Sequence, residues 1–254
     1  MSNILDHSIN CLGVYGKSVV NQLRLFAKNM ENGYNWAMRK SKIWLQVLPR
    51  VSIDKNIYLF SDVRNFAWRT PNRAIKNRLD YCVRKQDLVG CDLYLDRFGW
   101  QNLAGHVILE FIFVTGERLA LSIEARLSEG ENYSFLKGLF LQYPIIAIWG
   151  TPEDILWLRK VRGDELIHYS LHFSKKEVQL FFENVLRDTD YINTHDIRYN
   201  LIMNNCTSLL WRIVSETFWI EFWHWEIFLP WYVDRLLYRT WLISEKEYLN
   251  PGKI

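Results

Sequence analysis

Cys206 stands in the run Asn204-Asn205-Cys206-Thr207, directly ahead of a helical stripe of Leu210, Ile213 and Thr217. Asn205 is suited to cap that helix, which puts Cys206 in its first turn. A thiol there sits at the positive end of the helix dipole, which favours thiolate over thiol. His106, about a hundred residues upstream, opens a predicted strand and could take the proton. A thiol facing an imidazole is the pairing that cysteine acyl-transfer chemistry requires. The opposing reading treats Cys206 as a small apolar filler and His106 as a satisfied partial-core histidine.

The elements that must position these groups start with a hairpin. From His106 to Phe113 the odd positions are Val107, Leu109, Phe111 and Phe113, all apolar, and the even positions include His106 and Glu110. Leu119, Leu121, Ile123 and Ala125 continue the alternation on a second strand. A loop of Val114-Thr115-Gly116 joins them, with glycine at the left-handed position such loops need. Closing it with Phe113 opposite Glu117 sets Leu109 against Leu121 and Val107 against Ile123, because a one-residue slip would mix the two faces. The same register sets Glu124 across from His106, with Cβ atoms roughly 5 Å apart. Nucleophile, base and a group to orient the base are then all present.

Further along, Pro144–Trp149 and Glu165–Phe173 read as strands, and Thr151-Pro152-Glu153-Asp154 opens a helix. Ser174 and Glu177 form a capping box for a helix bearing Val178, Phe181, Phe182, Val185 and Leu186. Ile57–Phe60 reads as a short strand, and Thr70 with Pro71 predicts another helix start. Residues 1–56 read as a helical extension with loops, 57–217 as the domain proper, and 218–254 as an aromatic-rich segment. That last segment carries Trp219, Trp223, Trp225, Trp231 and Trp241, interrupted by Glu221, Glu226, Asp234 and Arg235. Either it is a helix packing its aromatics onto the domain, or it lies at lipid head-group depth, where Trp and Tyr prefer to sit.

Composition narrows the function classes. The 254 residues are 49% apolar and carry a net charge of +3, with no dense basic stripe. A full core is expected and nucleic acid is not. The local basic excess over 16–50 (Lys17, Arg24, Lys28, Arg39, Lys40, Lys42, Arg50) is a solvated face or a contact for anionic head groups. The cysteines, Cys11, Cys82, Cys91 and Cys206, form no C-x-x-C pair, so no metal site and no cofactor is expected. Reduced thiols are the expectation, although Cys82 and Cys91 could bridge in an oxidising compartment. Neither a secretory signal nor a spanning stretch of about 20 apolar residues is apparent.

Several separated motifs together resemble a known family. Asp62-Val63-Arg64-Asn65-Phe66, Gly105-His106-Val107, Ser122-Ile123-Glu124-Ala125-Arg126, Gly130-Glu131-Asn132-Tyr133-Ser134 with Lys137-Gly138, and Asn204-Asn205-Cys206-Thr207 follow one another over residues 57–215. In that order they resemble the family labelled domain of unknown function 4105, which includes the lipoprotein N-acyltransferase Lnb. It is similar to permuted papain-like, NlpC/P60-type thiol enzymes. The resemblance implies an α+β fold with an antiparallel sheet packed against a nucleophile-bearing helix. It implies Cys206 as nucleophile and His106 as base, in a block that also holds Glu124. Arg64, Asn65, Arg126 and Tyr133 would line the site or its scaffold, with Asn205 and the backbone N–H groups at the helix start stabilising an oxyanion. For Arg64 a buried ion pair is favoured, with Asp62 as its partner.

The resulting expectation is a thiol acyltransferase or hydrolase that forms an acyl-thioester on Cys206, with phospholipid or lipoprotein as substrate and a membrane surface as possible partner. The resemblance suggests the bacterial cell envelope. A cysteine amidase or peptidase acting on peptide or cell-wall amides is the first alternative. A non-catalytic membrane-associated scaffold is the second.

Overall fold

The computed structural model describes residues 48–98, 104–128, 143–200, 203–221, 223–245, 248 and 252–253. Its fold is α+β. One sheet runs β1 (Arg50–Asp54), β2 (Ile57–Arg64), β9 (Ile145–Gly150), β8 (Arg118–Ala125), β7 (Ala104–Phe113), β6 (Leu88–Phe98), β10 (Glu165–Ser170) and β11 (Gly252–Lys253). Strand β5 (Arg78–Arg84) pairs with β2 off this path. Neighbours are antiparallel except β2 and β9, which run parallel and meet at Arg64 and Gly150.

The predicted hairpin forms in the predicted register. Leu109 lies opposite Leu121 and Phe111 opposite Leu119, and the Phe113 N–H donates to Glu117 O at 3.1 Å. Gly116 takes φ 96°, the left-handed region that its loop position demands. The pairing of β7 with β8 ends at Ile108 opposite Ser122, while β8 stays paired with β9 as far as Ala125. His106 and Val107 therefore have no ladder partner on β8, and the two strands part there.

The alternation of β7 builds two cores, one on each face of the sheet. Val107, Leu109, Phe111 and Phe113 join the larger core with α2 (Lys175–Thr194) and α3 (Cys206–Phe218). Ile108 joins a smaller one with Ala120, Ile146, Ile148 and Ile155, the last from α1 (Pro152–Arg162). Each of these three helices starts on a cap that the sequence announces. Thr151 Oγ1 accepts from Asp154 N at 3.2 Å, and Ser174 and Glu177 exchange hydrogen bonds as a capping box. At α3, Asn205 Oδ1 accepts from Ser208 N at 2.8 Å, while Asn205 N donates to Ser208 Oγ at 2.9 Å.

Three expectations need correction. Residues 50–54, read as part of a helical extension, form β1, because Lys55 turns the chain at φ 53° and pairs β1 with β2; residues 1–47 lie outside the described residues. Thr70-Pro71 starts no helix. It is the turn between β3 (Ala67–Thr70) and β4 (Arg73–Ile75), because the fixed φ of proline suits the second position of a turn as well as the first turn of a helix. The aromatic-rich segment is not one helix. It is a pair of 3-10 turns, Trp225–Phe228 and Pro230–Tyr232, followed by α4 (Val233–Arg239).

In that segment the aliphatic side chains turn inward and most tryptophans turn outward. Ile227, Val233, Leu236, Leu237, Leu242 and Ile243 are buried in the larger core. Trp219 is 94% exposed, Trp241 83% and Trp223 63%. Buried Glu226 accepts from Arg239 at 2.8 Å, which pins α4 to the preceding turn. The backbone of Pro230 and Trp231 packs on Gly105, where a Cβ would lie 2.7 Å from Trp231 N. Among the described residues no helix is long and apolar enough to cross a membrane.

Candidate functional site

The predicted thiol and the predicted base both border the opening between β7 and β8. The Phe113 N–H points toward β8. By the period of an antiparallel strand, the Val107 N–H points the same way. In a continued ladder its acceptor would be on Ile123, but β8 has turned away. The Cys206 sulfur takes that place and accepts from Val107 N–H. Helix α3 thus brings the thiol from one side of the sheet into its plane, beside the residue that follows His106. His106 itself lies on the α1 side. No hydrogen bond joins the sulfur to the imidazole; they meet through the backbone of Val107.

Cys206 is 3% exposed, and burial pushes its thiol up. The N–H groups of Val107, Thr207 and Cys206 pull the other way but do not outweigh burial. The resting group is therefore a thiol, not the thiolate that helix position alone suggests. Those N–H groups remain available to a charge that forms later on the sulfur.

The imidazole is fixed from its far side. His106 Nε2 lies 2.8 Å from Ser122 Oγ, and that hydroxyl donates to Glu124 Oε1 at 2.9 Å. With its hydrogen committed to Glu124, the Ser122 oxygen accepts from His106 Nε2–H. Nδ1 is then the nitrogen left to accept a proton. The direct His106–Glu124 contact expected from the register is replaced by a serine bridge. Burial, reinforced by Arg159, pushes His106 down to about 3, so the ring is neutral at neutral pH.

Arg159 organises the carboxylates. Its Nη2 donates to Glu124 Oε1 at 2.7 Å and reaches Ser122 Oγ at 3.4 Å, while its Nε stands 3.3 Å from Asp96 Oδ2. Burial of Glu124 opposes its charge, but Arg159, His106 and Arg64 outweigh it and hold the carboxyl well below the usual range. For Asp96 burial prevails over Arg159, and the group is pushed up to about 7.

The other sequence candidates are placed elsewhere. Arg64 is 2% exposed and donates from Nε to Asp154 Oδ2 at 2.8 Å, so its partner is Asp154, not Asp62. Asp154 also accepts from Phe66 N and Trp68 Nε1, which ties β2 and β3 to the start of α1. Asn65 Oδ1 accepts from Thr151 Oγ1 at 3.0 Å in the same cluster. Asn205 is 1% exposed and its side-chain oxygen serves the cap of α3. Arg126 is buried and its N–H donates to Pro144 O at 2.7 Å. Tyr133 lies outside the described residues.

The model of the Lnb N-terminal periplasmic domain matches residues 84–240, more than half of the chain. The chain belongs to the Lnb N-terminal periplasmic domain family. That span includes the β7–β8 hairpin, α1 with Arg159, and α3 with Cys206. No curated protein and no solved structure matches.

Ser122, Arg159 and Asp96 are the site members that the sequence reading misses. Two of them had a signal. Ser122 shares the strand face of Glu124, and Arg159 falls four residues after Ile155 on the inward stripe of α1, an unusual place for an unpaired guanidinium. Among the described residues, no group of three or more His, Cys, Asp or Glu side chains could hold a metal. Behind the thiol, Val107, Thr207, Leu210, Trp211, Leu237 and their neighbours line an apolar cavity of about 30 Å³.

Proposed function

We propose that this protein is a cysteine-dependent acyltransferase of the bacterial cell envelope, with a permuted papain-like, NlpC/P60-type site and a phospholipid or lipoprotein ester as acyl donor. The observation that carries the reading is the Cys206 sulfur lodged on Val107 N–H, in the opening beside His106. Cys206 gives its proton to His106 Nδ1 as the sulfur attacks the ester carbonyl. The C–O bond breaks, the leaving alkoxide takes the proton from His106, and the acyl group remains as a thioester. An acceptor amine then attacks the thioester, passes its proton through His106 to the departing sulfur, and restores the thiol. Ser122 and Glu124 keep the imidazole in the tautomer this needs. The N–H groups around the sulfur favour the charge it carries in transit.

The exposed tryptophans support a lipid donor over a peptide. Trp231 borders the site through Gly105, and the segment to which it belongs shows Trp219, Trp223 and Trp241 to solvent. Aromatic side chains of this kind suit the head-group region of a bilayer.

Incubation with a phospholipid labelled in its acyl chain, followed by intact-mass and peptide analysis, tests the reading. The expected product is an acyl adduct on Cys206 that hydroxylamine removes and that Cys206→Ala cannot form. An adduct obtained only with peptide or cell-wall amides would make the protein an amidase. If an electrophilic thiol probe labels Cys206 no faster than Cys82 or Cys91, the protein is a non-catalytic scaffold.

A further inference from the structure

We infer that Asp96 is a positioning residue of this site: it shares Arg159 with Glu124, and its charge decides how much of the arginine's field His106 feels. The inference rests on the reading of Cys206 and His106 given above. Asp96 lies on β6 directly across from His106 on β7, so the two side chains leave the same face of the sheet. It is 1% exposed. Its contact with Arg159 Nε is an ion pair without a hydrogen bond, and Asp96 Oδ1 has no hydrogen-bond partner among the described residues. Glu124, in contrast, holds the same guanidinium at 2.7 Å and accepts from Ser122 as well.

One buried guanidinium therefore faces two carboxylates of unequal standing. Glu124 keeps its charge, and the proton that the pair retains belongs on Asp96. The charged groups facing Asp96 are Arg159 and Arg162 of α1, Asp164 just after it, and Glu124 of β8, with His106 opposite on β7. While Asp96 is neutral, Arg159 and Arg162 bear on His106 and oppose its protonation. Ionisation of Asp96 places a negative charge across the strand pair and offsets them. His106 then becomes a better acceptor for the Cys206 proton. The consequence is a rise in thiol reactivity through neutral pH that belongs to Asp96. The thiol's own titration lies higher, because burial raises it.

The test is the rate of Cys206 alkylation by iodoacetamide on the full chain from pH 5.5 to 9, read peptide by peptide. The unmodified protein is expected to show an extra rise of about tenfold centred near pH 7, above the steady increase that thiolate formation alone gives below the thiol's own titration, the effect of roughly one unit in the basicity of His106. Asp96→Asn removes that rise, Asp96→Glu restores it, and His106→Ala lowers the whole profile. If His106→Ala slows labelling but Asp96→Asn leaves the rise in place, the inference falls and the thiol–imidazole reading stands. If His106→Ala changes nothing, both fall. Nuclear magnetic resonance of the His106 ring in the unmodified protein gives a reading that does not depend on a variant folding. A shift with a midpoint near pH 7 is expected, and a ring that senses nothing in that range overturns the proposal.

Discussion

Ser122 Oγ stands 2.8 Å from His106 Nε2, inside the sheet, and it is this hydroxyl that the imidazole touches. Because the same hydroxyl donates to Glu124, the ring is held through a two-bond relay anchored on Arg159. Removing the hydroxyl leaves Nε2–H facing a void and frees the ring to turn.

Ser122→Ala should therefore slow acyl transfer while leaving the fold intact. A buried hydrogen bond to a charged or polarised group is worth about 1.5–3 kcal/mol, which is roughly tenfold to a hundredfold in rate. The loss should fall on kcat with little change in KM, since Ser122 is fully buried and does not touch substrate. Steady-state kinetics on a labelled phospholipid, with circular dichroism as the control for folding, checks this. Equal loss in kcat and binding would assign Ser122 to the substrate surface.

How much of this site is legible in the sequence depends on which interactions repeat along the chain. The β7–β8 register follows from the unbroken apolar odd positions Val107–Phe113 and Leu119–Ala125, and the caps at Ser174 and Asn205 follow from local side-chain chemistry. Where β7 and β8 part is not legible, because it depends on β8 following β9 after Ser122. The alternation continues undisturbed through that point, so it predicts a His106–Glu124 pair that the strands do not make. Asp96 is invisible for a related reason: β6 is mostly buried on both faces, so its sequence carries no clean period of two to declare which face Asp96 shares. The β1–β2 hairpin turns on Lys55 and lacks the Asn-Gly signal that usually marks such turns.

Asp154 is the structural counterpart of that relay, and its loss should be felt in stability. Its carboxylate, fully buried, accepts from Arg64 Nε, Phe66 N and Trp68 Nε1 at 2.7–2.8 Å. Asp154→Ala leaves the Arg64 guanidinium, 2% exposed, without its carboxylate. Breaking a buried pair from one side costs about 3–5 kcal/mol, because the remaining charge keeps its desolvation penalty. Urea denaturation should show a lower midpoint with an unchanged slope, the product of shift and slope giving that loss. Arg64→Met in the same background should recover part of the loss, since it removes the orphaned charge. Failure to recover would mean that the hydrogen bonds to Phe66 and Trp68, not the ion pair, dominate.

Trp219 and Trp241 offer the opposite case, large apolar side chains that the fold does not need. Both close helical segments in the left-handed region, at φ 55° and φ 62°, and both point into solvent. A tryptophan held outward on a non-glycine left-handed residue gains nothing from the core, so its contribution to stability is small. Replacing both with Ser should shift stability by no more than about 0.5 kcal/mol each, the range for surface positions. If the segment lies against lipid, the same change should weaken binding to vesicles of phosphatidylethanolamine and phosphatidylglycerol by about tenfold or more, since each indole contributes its own interfacial contact. Sedimentation with such vesicles reads the binding directly, and thermal unfolding reads the stability. A double variant that loses stability yet binds vesicles as before would return these tryptophans to a structural role and remove the membrane surface from the proposed partners.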